Sequence, residues 1–141
     1  IARRVKAALA DGAESRITDM VGGDLEGIDA KIVGMAAAGG DDLAISNLAY
    51  AGRIIGMAIV TALLLFNPEI VVVGGGVTKT GELLFAPIRQ AVADHILDSA
   101  FVQDLRIERA ALGDDVALVG AAALVATAGG NIDISELDRR F

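Results

Sequence analysis

The sequence has no cysteine and no tryptophan, and aromatic residues make up only 4% of its 141 positions. Without cysteine, these residues can form no disulfide, no thiolate metal site and no cysteine nucleophile. Hydrophobic residues nevertheless make up 54% of the chain, so we expect a core of alanine, valine, isoleucine and leucine. A chain of this length can bury such a core.

Basic residues are also scarce. Lysine and arginine number 12 against 19 acidic residues, the net charge is −7, and no run is rich in lysine or arginine. A nucleic-acid surface needs a basic patch, so we expect no nucleic-acid partner through this chain. The lack of cysteine is compatible with a reducing compartment, and we expect a cytoplasmic protein.

The uncharged apolar run in the middle of the chain is too short for a membrane span. It covers residues 54–66 and is bounded by Arg53 and by Asn67-Pro68, whereas a span needs about 20 apolar residues. The run therefore predicts a buried helix of a soluble protein and no membrane contact. The chain opens on an amphipathic pattern without an initiating methionine, so we expect a fragment of a longer protein.

Hydrophobic periodicity predicts five main helices and two strands. Asp29 precedes a helix and is suited to cap it, and Asp41-Asp42 places negative charge at the start of the long helix, which suits the helix dipole. The stretch 19–27 is glycine-rich and acidic, which indicates a loop. The second half of the long helix is apolar all round, which predicts burial on most sides, and Pro87 predicts a kink or a break. The predicted helices cover residues 1–10, 30–38, 41–66, 79–99 and 116–128, and the predicted strands cover 69–73 and 105–110.

The most informative stretch is residues 67–77, NPEIVVVGGGV. Four β-branched residues in a row are typical of a short parallel strand that is buried on both faces. Glycines directly after such a strand permit a sharp turn and a close approach of a ligand. Ligands of open α/β sheets bind at this carboxyl edge. We therefore expect a small molecule, such as a nucleotide, beside Gly74, Gly75 and Gly76.

Two better-known glycine motifs do not fit the block. A dinucleotide fingerprint that starts at Gly74 requires glycine where Lys79 stands, and a P-loop that starts at Gly76 requires Lys-Ser/Thr where Glu82-Leu83 stands. The block is therefore not a triphosphate cradle by itself.

Three segments together resemble the ROK family of bacterial sugar kinases and repressors. They are NPEIVVVGGGVTKTGELLFAPIRQAV at 67–92, ALGDDVALVGAAALV at 111–125 and VGGDLEGIDAKIVGMAAAGGDDLA at 21–44. The resemblance implies an α/β chain with parallel strands and flanking helices, part of an actin-like ATPase (ribonuclease H-like) domain. Residues 1–128 would be the carboxyl-terminal part of the second α/β domain, and 129–141 a polar tail.

The resemblance also implies a role in nucleotide binding. It places the adenosine of ATP against Gly74, Gly75, Gly76, Val77 and Thr78. The family's phosphate loop, its catalytic aspartate, its sugar-contacting histidine and its structural zinc motif would precede Ile1, so no catalytic or metal-binding residue is expected in this chain. In the full-length protein ATP with Mg²⁺ would phosphorylate the 6-hydroxyl of a hexose.

Several polar residues have simpler explanations. Thr78 and Lys79 could contact ribose or phosphate, but a helix cap and a solvated charge are the commoner roles. Asp114 and Asp115 stand where the dipole of a following helix favours anions, so capping is expected rather than catalysis. His95, the single histidine, is expected to be a surface residue.

Three functions remain open. The first is half of a glucokinase-like ATP-dependent hexose kinase, inactive by itself. The second is the sugar-sensing lobe of a ROK repressor, and the third is an α/β assembly module. The three glycines favour the kinase, and exposed apolar surface on the long helix, including Ile45 and Leu48, favours a homo-oligomer.

Overall fold

The computed structural model describes residues 1–127 and 129, with Asp114 described by its backbone alone. These residues form six α-helices and two β-strands, joined by short 3₁₀ segments. The helices are α1 (Ala2–Ala10), α2 (Ile17–Met20), α3 (Ala30–Ala38), α4 (Asp42–Phe66), α5 (Glu82–His95) and α6 (Val116–Ala126), and the strands are β1 (Ile70–Val73) and β2 (Arg106–Arg109).

The two strands form a parallel pair, as predicted. Ile70 lies opposite Arg106, and Val73 lies opposite Arg109. Val71 and Val73 pack with Ile107 against the core beside α5. The other face of β1 is open, since Val72 is 58% exposed. The expectation that this strand is buried on both faces is therefore wrong for this chain, because the described residues supply a layer on one side of the pair only.

The closest helix packing is that of α4 on α5. It depends on two glycines of α4, Gly52 and Gly56, which are both buried. A Cβ atom at Gly52 would lie 2.7 Å from the carbonyl oxygen of Leu84, and one at Gly56 would lie 2.6 Å from that of Ile88. The two helices approach so closely because neither glycine has a side chain.

A second apolar cluster joins α1, α2, α3 and the first half of α4. Its members include Val5, Ile17, Val33 and Leu48, all with no exposed surface. Leu48 was expected on an accessible oligomer surface, and this expectation is wrong.

The predicted loop 19–27 contains the end of the four-residue α2 and the whole 3₁₀ segment Leu25–Gly27. The sequence did not predict these segments, because helices this short carry too little periodicity to be recognised.

The predicted aspartate cap of α3 is confirmed, and α4 has an aspartate cap as well. Asp29 accepts a hydrogen bond from the Ile32 amide at 2.8 Å, and Asp41 accepts one from the Ala44 amide at 2.8 Å. The predicted break at Pro87 is wrong, because α5 runs unbroken from Glu82 to His95. The structure does not form one helix over 79–99. Helix α5 is preceded by the 3₁₀ segment Gly76–Thr80 and followed by the 3₁₀ segment Ser99–Val102.

Helix α4 is more exposed than predicted. It is long and apolar enough to cross a membrane by length and composition, and 33% of its most apolar window is buried within the chain. A core helix of a soluble protein passes the same test. Ile54 and Met57 are about half exposed, and Phe66 is 78% exposed, so the expectation of burial on most sides does not hold for the second half.

The chain divides into two compact units, 1–110 and 111–141. The described part of the second unit contains α6 after a 3₁₀ turn, Gly113–Asp115. Asp115 precedes α6 but makes no side-chain cap, so its predicted capping role is wrong. The described residues do not include the side chain of Asp114. They also do not include Gly130 or the predicted polar tail from Asn131.

Candidate functional site

A pocket of about 570 Å³ lies between α3 and the 3₁₀ segment Gly76–Thr80, which follows β1. Pockets of small-molecule sites measure about 300–1,000 Å³, so this one is large enough for a nucleoside. The residues that line it are Ala30, Lys31, Gly34, Met35, Ala38, Gly76, Val77, Lys79 and Thr80.

The wall that follows β1 is a glycine turn, by which we mean residues 74–81. Gly75 has φ +108° and Gly81 has φ +59°, conformations that side chains disfavour. The turn is also fixed by hydroxyl groups: Thr78 Oγ1 donates to the Gly75 carbonyl at 2.7 Å, and Thr80 Oγ1 donates to the Val77 carbonyl at 2.7 Å. The sequence therefore makes a turn that is held by its own glycines and hydroxyl groups.

The five predicted contact residues occupy different places in this turn. Gly76 and Val77 line the pocket, whereas Gly74, Gly75 and Thr78 are not among its lining residues. Thr78 is only 5% exposed, and its hydroxyl already bonds the backbone. Gly75 instead supplies the left-handed backbone that directs Gly76 and Val77 toward the pocket.

The opposite wall is one face of α3, which we did not identify from the sequence. Lys31, Met35 and Ala38 recur at helical spacing along this face, and Gly34 lies between them. A Cβ atom at Gly34 would approach the Thr80 methyl group to 3.0 Å, so α3 and the glycine turn meet there. The sequence of α3, AKIVGMAAA, contains no recognised motif that would mark this wall.

The charged residues that the structure describes in the pocket lining have one sign. Lys31 and Lys79 line it, and no carboxylate is among the described lining residues. In a chain of net charge −7, this arrangement favours an anionic ligand. The other lining side chains are mainly apolar, so the pocket suits a molecule with an apolar ring system and an attached anionic group.

Other candidate residues remain outside this site. His95 lies at the end of α5, where Nδ1 is 2.8 Å from the Ala91 carbonyl oxygen. Among the residues that the structure describes, no group of three or more histidine, aspartate or glutamate side chains is placed to hold a metal ion. The pocket beside the glycine turn is therefore the candidate site.

Comparison with known proteins assigns the family. The ROK family matches residues 7–128. The chain belongs to the ROK family. The resemblance seen in residues 67–92 and 111–125 is thus confirmed.

Relatives within this ROK family include both enzymes and regulators. The chain is 34% identical over 111 residues to a glucokinase of Thermotoga maritima, an alignment that covers 79% of this chain and 35% of the relative. It is 34% identical over 125 residues to the DNA-binding transcriptional dual regulator NagC of Escherichia coli K12, covering 89% of this chain and 29% of the relative. The chain therefore spans about a third of the length of these curated relatives.

A solved structure supports the fold. A ROK family glucokinase from Streptomyces griseus, in complex with glucose and AMPPNP, has a TM-score of 0.76 and 30% identity, and the match covers 87% of this chain and 40% of that one. The predicted fold class is confirmed: the ROK chain is a partial α/β domain of the actin-like ATPase fold.

Proposed function

We propose that this chain is the carboxyl-terminal half of an ATP-dependent hexose kinase, similar to glucokinase, and that it supplies the wall that holds adenosine. The observation that carries the proposal is the pocket between α3 and the glycine turn. It lies at the carboxyl end of a parallel strand, where ligands of α/β sheets bind, and its two lysines suit a phosphorylated ligand. The glucokinase neighbour with bound AMPPNP and glucose adds support.

The chemistry of the transfer would depend on residues outside this chain. None of the described lining residues is a carboxylate, so Mg²⁺ would come with the nucleotide rather than be held by these residues. The zinc site that the resemblance implies would likewise lie before Ile1. The part played by this chain is to bind and orient the nucleotide, and we propose a cytoplasmic location for it.

Gly76→Val is expected to abolish ATP binding while the chain remains folded. Gly76 lines the pocket, its φ is not in the left-handed region, and a Cβ there meets no atom within 4 Å. The valine methyl groups would therefore fill ligand space without straining the turn. Isothermal titration of the chain with ATP, alongside circular dichroism, measures both effects.

The matched control is Gly27→Val, in which the added Cβ meets only the Val21 Cβ at 4.0 Å, away from the pocket. Gly75→Val is a poorer test than the sequence suggested, because its φ of +108° would strain any valine. Unchanged ATP affinity in a folded Gly76→Val variant would contradict the nucleotide site.

The second candidate function is the sugar-sensing lobe of a ROK repressor, favoured by the similarity to NagC. A kinase needs the glycine turn to hold ATP, whereas a sugar sensor without nucleotide does not. Titration with ATP and with glucose therefore separates the two. In the full-length protein, ATP binding supports the kinase, glucose binding without ATP binding supports the sensor, and binding of neither ligand supports an assembly module.

We also propose that the chain forms a homo-oligomer through the exposed face of α4. Ile54 and Met57 lie one turn apart there and are 48% and 45% exposed. Because exposed apolar patches favour association, Ile54→Asp should shift the species seen by light scattering toward monomer without loss of helix content. A strictly monomeric unmodified chain at high concentration would refute this. Leu48→Asp is unsuitable as a test, because Leu48 is fully buried.

A further inference from the structure

The two walls of the pocket have one close contact, between Gly34 of α3 and Thr80 of the glycine turn. Both residues line the pocket. A Cβ atom at Gly34 would lie 3.0 Å from the methyl carbon of Thr80, Cγ2, whereas carbon atoms in favourable contact are about 3.5–4.0 Å apart. The Thr80 methyl group therefore occupies the space that a side chain at position 34 would need.

The Thr80 side chain cannot give up this space by rotating. Its Oγ1 donates a hydrogen bond to the Val77 carbonyl at 2.7 Å. Oγ1 and Cγ2 are both attached to Cβ, so the two groups turn together about χ1. A rotation that moved the methyl group away from α3 would also move the hydroxyl group away from Val77. The hydrogen bond that holds the turn therefore also holds the methyl group against α3.

Each wall is also anchored on its far side. On α3, Val33 and Ala36 are buried in the apolar cluster that α3 shares with α1, α2 and α4. The glycine turn leads into α5, where the Gly81 carbonyl accepts a hydrogen bond from the Leu84 amide at 3.0 Å and Leu84 is buried. Neither wall can move freely as a whole, so the contact between Gly34 and Thr80 sets their spacing at the pocket.

This inference rests on the proposed function: we propose that Thr80 is a positioning residue for the nucleotide. Its hydroxyl group holds the turn, and its methyl group, seated against Gly34, sets the distance from α3 to the lining residues Gly76 and Val77. The affinity for ATP then depends on positions 34 and 80 as a pair, because a methyl group fits at one of them but not at both.

The test is a double-mutant cycle in ATP affinity, measured by isothermal titration of the full-length protein. Gly34→Ala should weaken ATP binding by about tenfold, the scale of overpacking at a tight contact. Thr80→Ser removes the methyl group and keeps the hydroxyl group, so the Gly34→Ala/Thr80→Ser double variant should bind ATP within about threefold of the unmodified protein. The Gly34→Ala/Thr80→Val double variant should stay weak, because valine keeps a methyl group there and cannot donate to the Val77 carbonyl.

Circular dichroism and denaturation separate this positioning role from a merely structural one. Because alanine is favoured over glycine inside a helix, Gly34→Ala should remain folded while its ATP affinity falls. Gly27→Ala is the matched control, since its added Cβ meets only the Val21 Cβ at 4.0 Å, and its ATP affinity should be unchanged. If Gly34→Ala did not fold, Thr80→Val alone should still weaken ATP binding by about fivefold through the lost hydrogen bond.

Two results would overturn the inference while leaving nucleotide binding intact. One is unchanged ATP affinity in folded Gly34→Ala or Thr80→Val, and the other is failure of Thr80→Ser to restore the affinity that Gly34→Ala loses. If the unmodified protein bound no ATP, the proposed function would fail, and this inference with it. The same set of titrations distinguishes these outcomes.

Discussion

Gly56→Ala should lower the free energy of unfolding by about 2 kcal/mol, the net of an overpacking cost near 3 and a helix-propensity gain near 1. The added Cβ would lie 2.6 Å from the Ile88 carbonyl oxygen and 2.7 Å from the Ala91 Cβ. Both atoms belong to α5, and neither can rotate away as the end of a long side chain could. The two helices would have to separate, which would loosen the apolar cluster that they share with β1.

Chemical denaturation followed by circular dichroism measures this loss. Ala58→Val is the control, because Ala58 lies on the exposed side of the same helix, and its added methyl groups should change stability by less than about 1 kcal/mol. A Gly56→Ala variant as stable as the unmodified chain would show that α4 and α5 can repack without that close approach.

The sequence predicts the main elements of this fold because each has a strong local signal. The strands at 69–73 and 105–110 agree with β1 and β2 to within one residue at each end. The first has a distinctive β-branched run after a turn signal, and the second has an alternating pattern. The helix at 30–38 agrees fully, because Asp29 and Gly39 mark its ends. The exposure of α4 was not predictable, because hydrophobic composition does not reveal which neighbours are present to cover a face.

The candidate site was predicted on one side only. The glycines after β1 identify the turn, since only glycine tolerates the backbone of Gly75. They do not identify α3, because its approach depends on tertiary packing of Gly34 against Thr80. The distinction between Gly75, which shapes the turn, and Gly76, which lines the pocket, likewise depends on backbone angles that the sequence does not contain.

The position of α3 depends in turn on its junction with α4, where Asp41 is buried with 6% of its surface exposed. Its carboxylate accepts three hydrogen bonds, from the Ser15 hydroxyl at 2.8 Å, the Arg16 amide at 2.9 Å and the Ala44 amide at 2.8 Å. The Arg16 guanidinium also donates to the Gly39 carbonyl at 2.8 Å. One carboxylate thus caps α4 and ties the segment before α2 to the end of α3.

These contacts predict that stability depends on pH. Burial alone raises the pKa of Asp41, but the hydrogen bonds from Ala44, Ser15 and Arg16 and the charge of Arg16 outweigh it, so the pKa lies below the ordinary 3.8. A carboxyl whose pKa is lower in the folded state stabilises the fold fully above its unfolded pKa. This contribution is lost as the pH falls from about 4 through the lower folded value.

Asp41→Ala should therefore destabilise the chain by about 3 kcal/mol at pH 7, since it removes a helix cap and leaves buried donors unpaired. Asp29→Ala, which removes the single cap bond of α3, should cost about 1 kcal/mol. Asp41→Asn keeps an acceptor for the Ala44 amide but has no carboxylate that can be protonated. Its free energy of unfolding should therefore fall less steeply than that of the unmodified chain between pH 5 and pH 3, the range around the ordinary pKa of 3.8. Denaturation series across this range measure both slopes, and equal slopes would show that Asp41 does not contribute to the acid sensitivity of the fold.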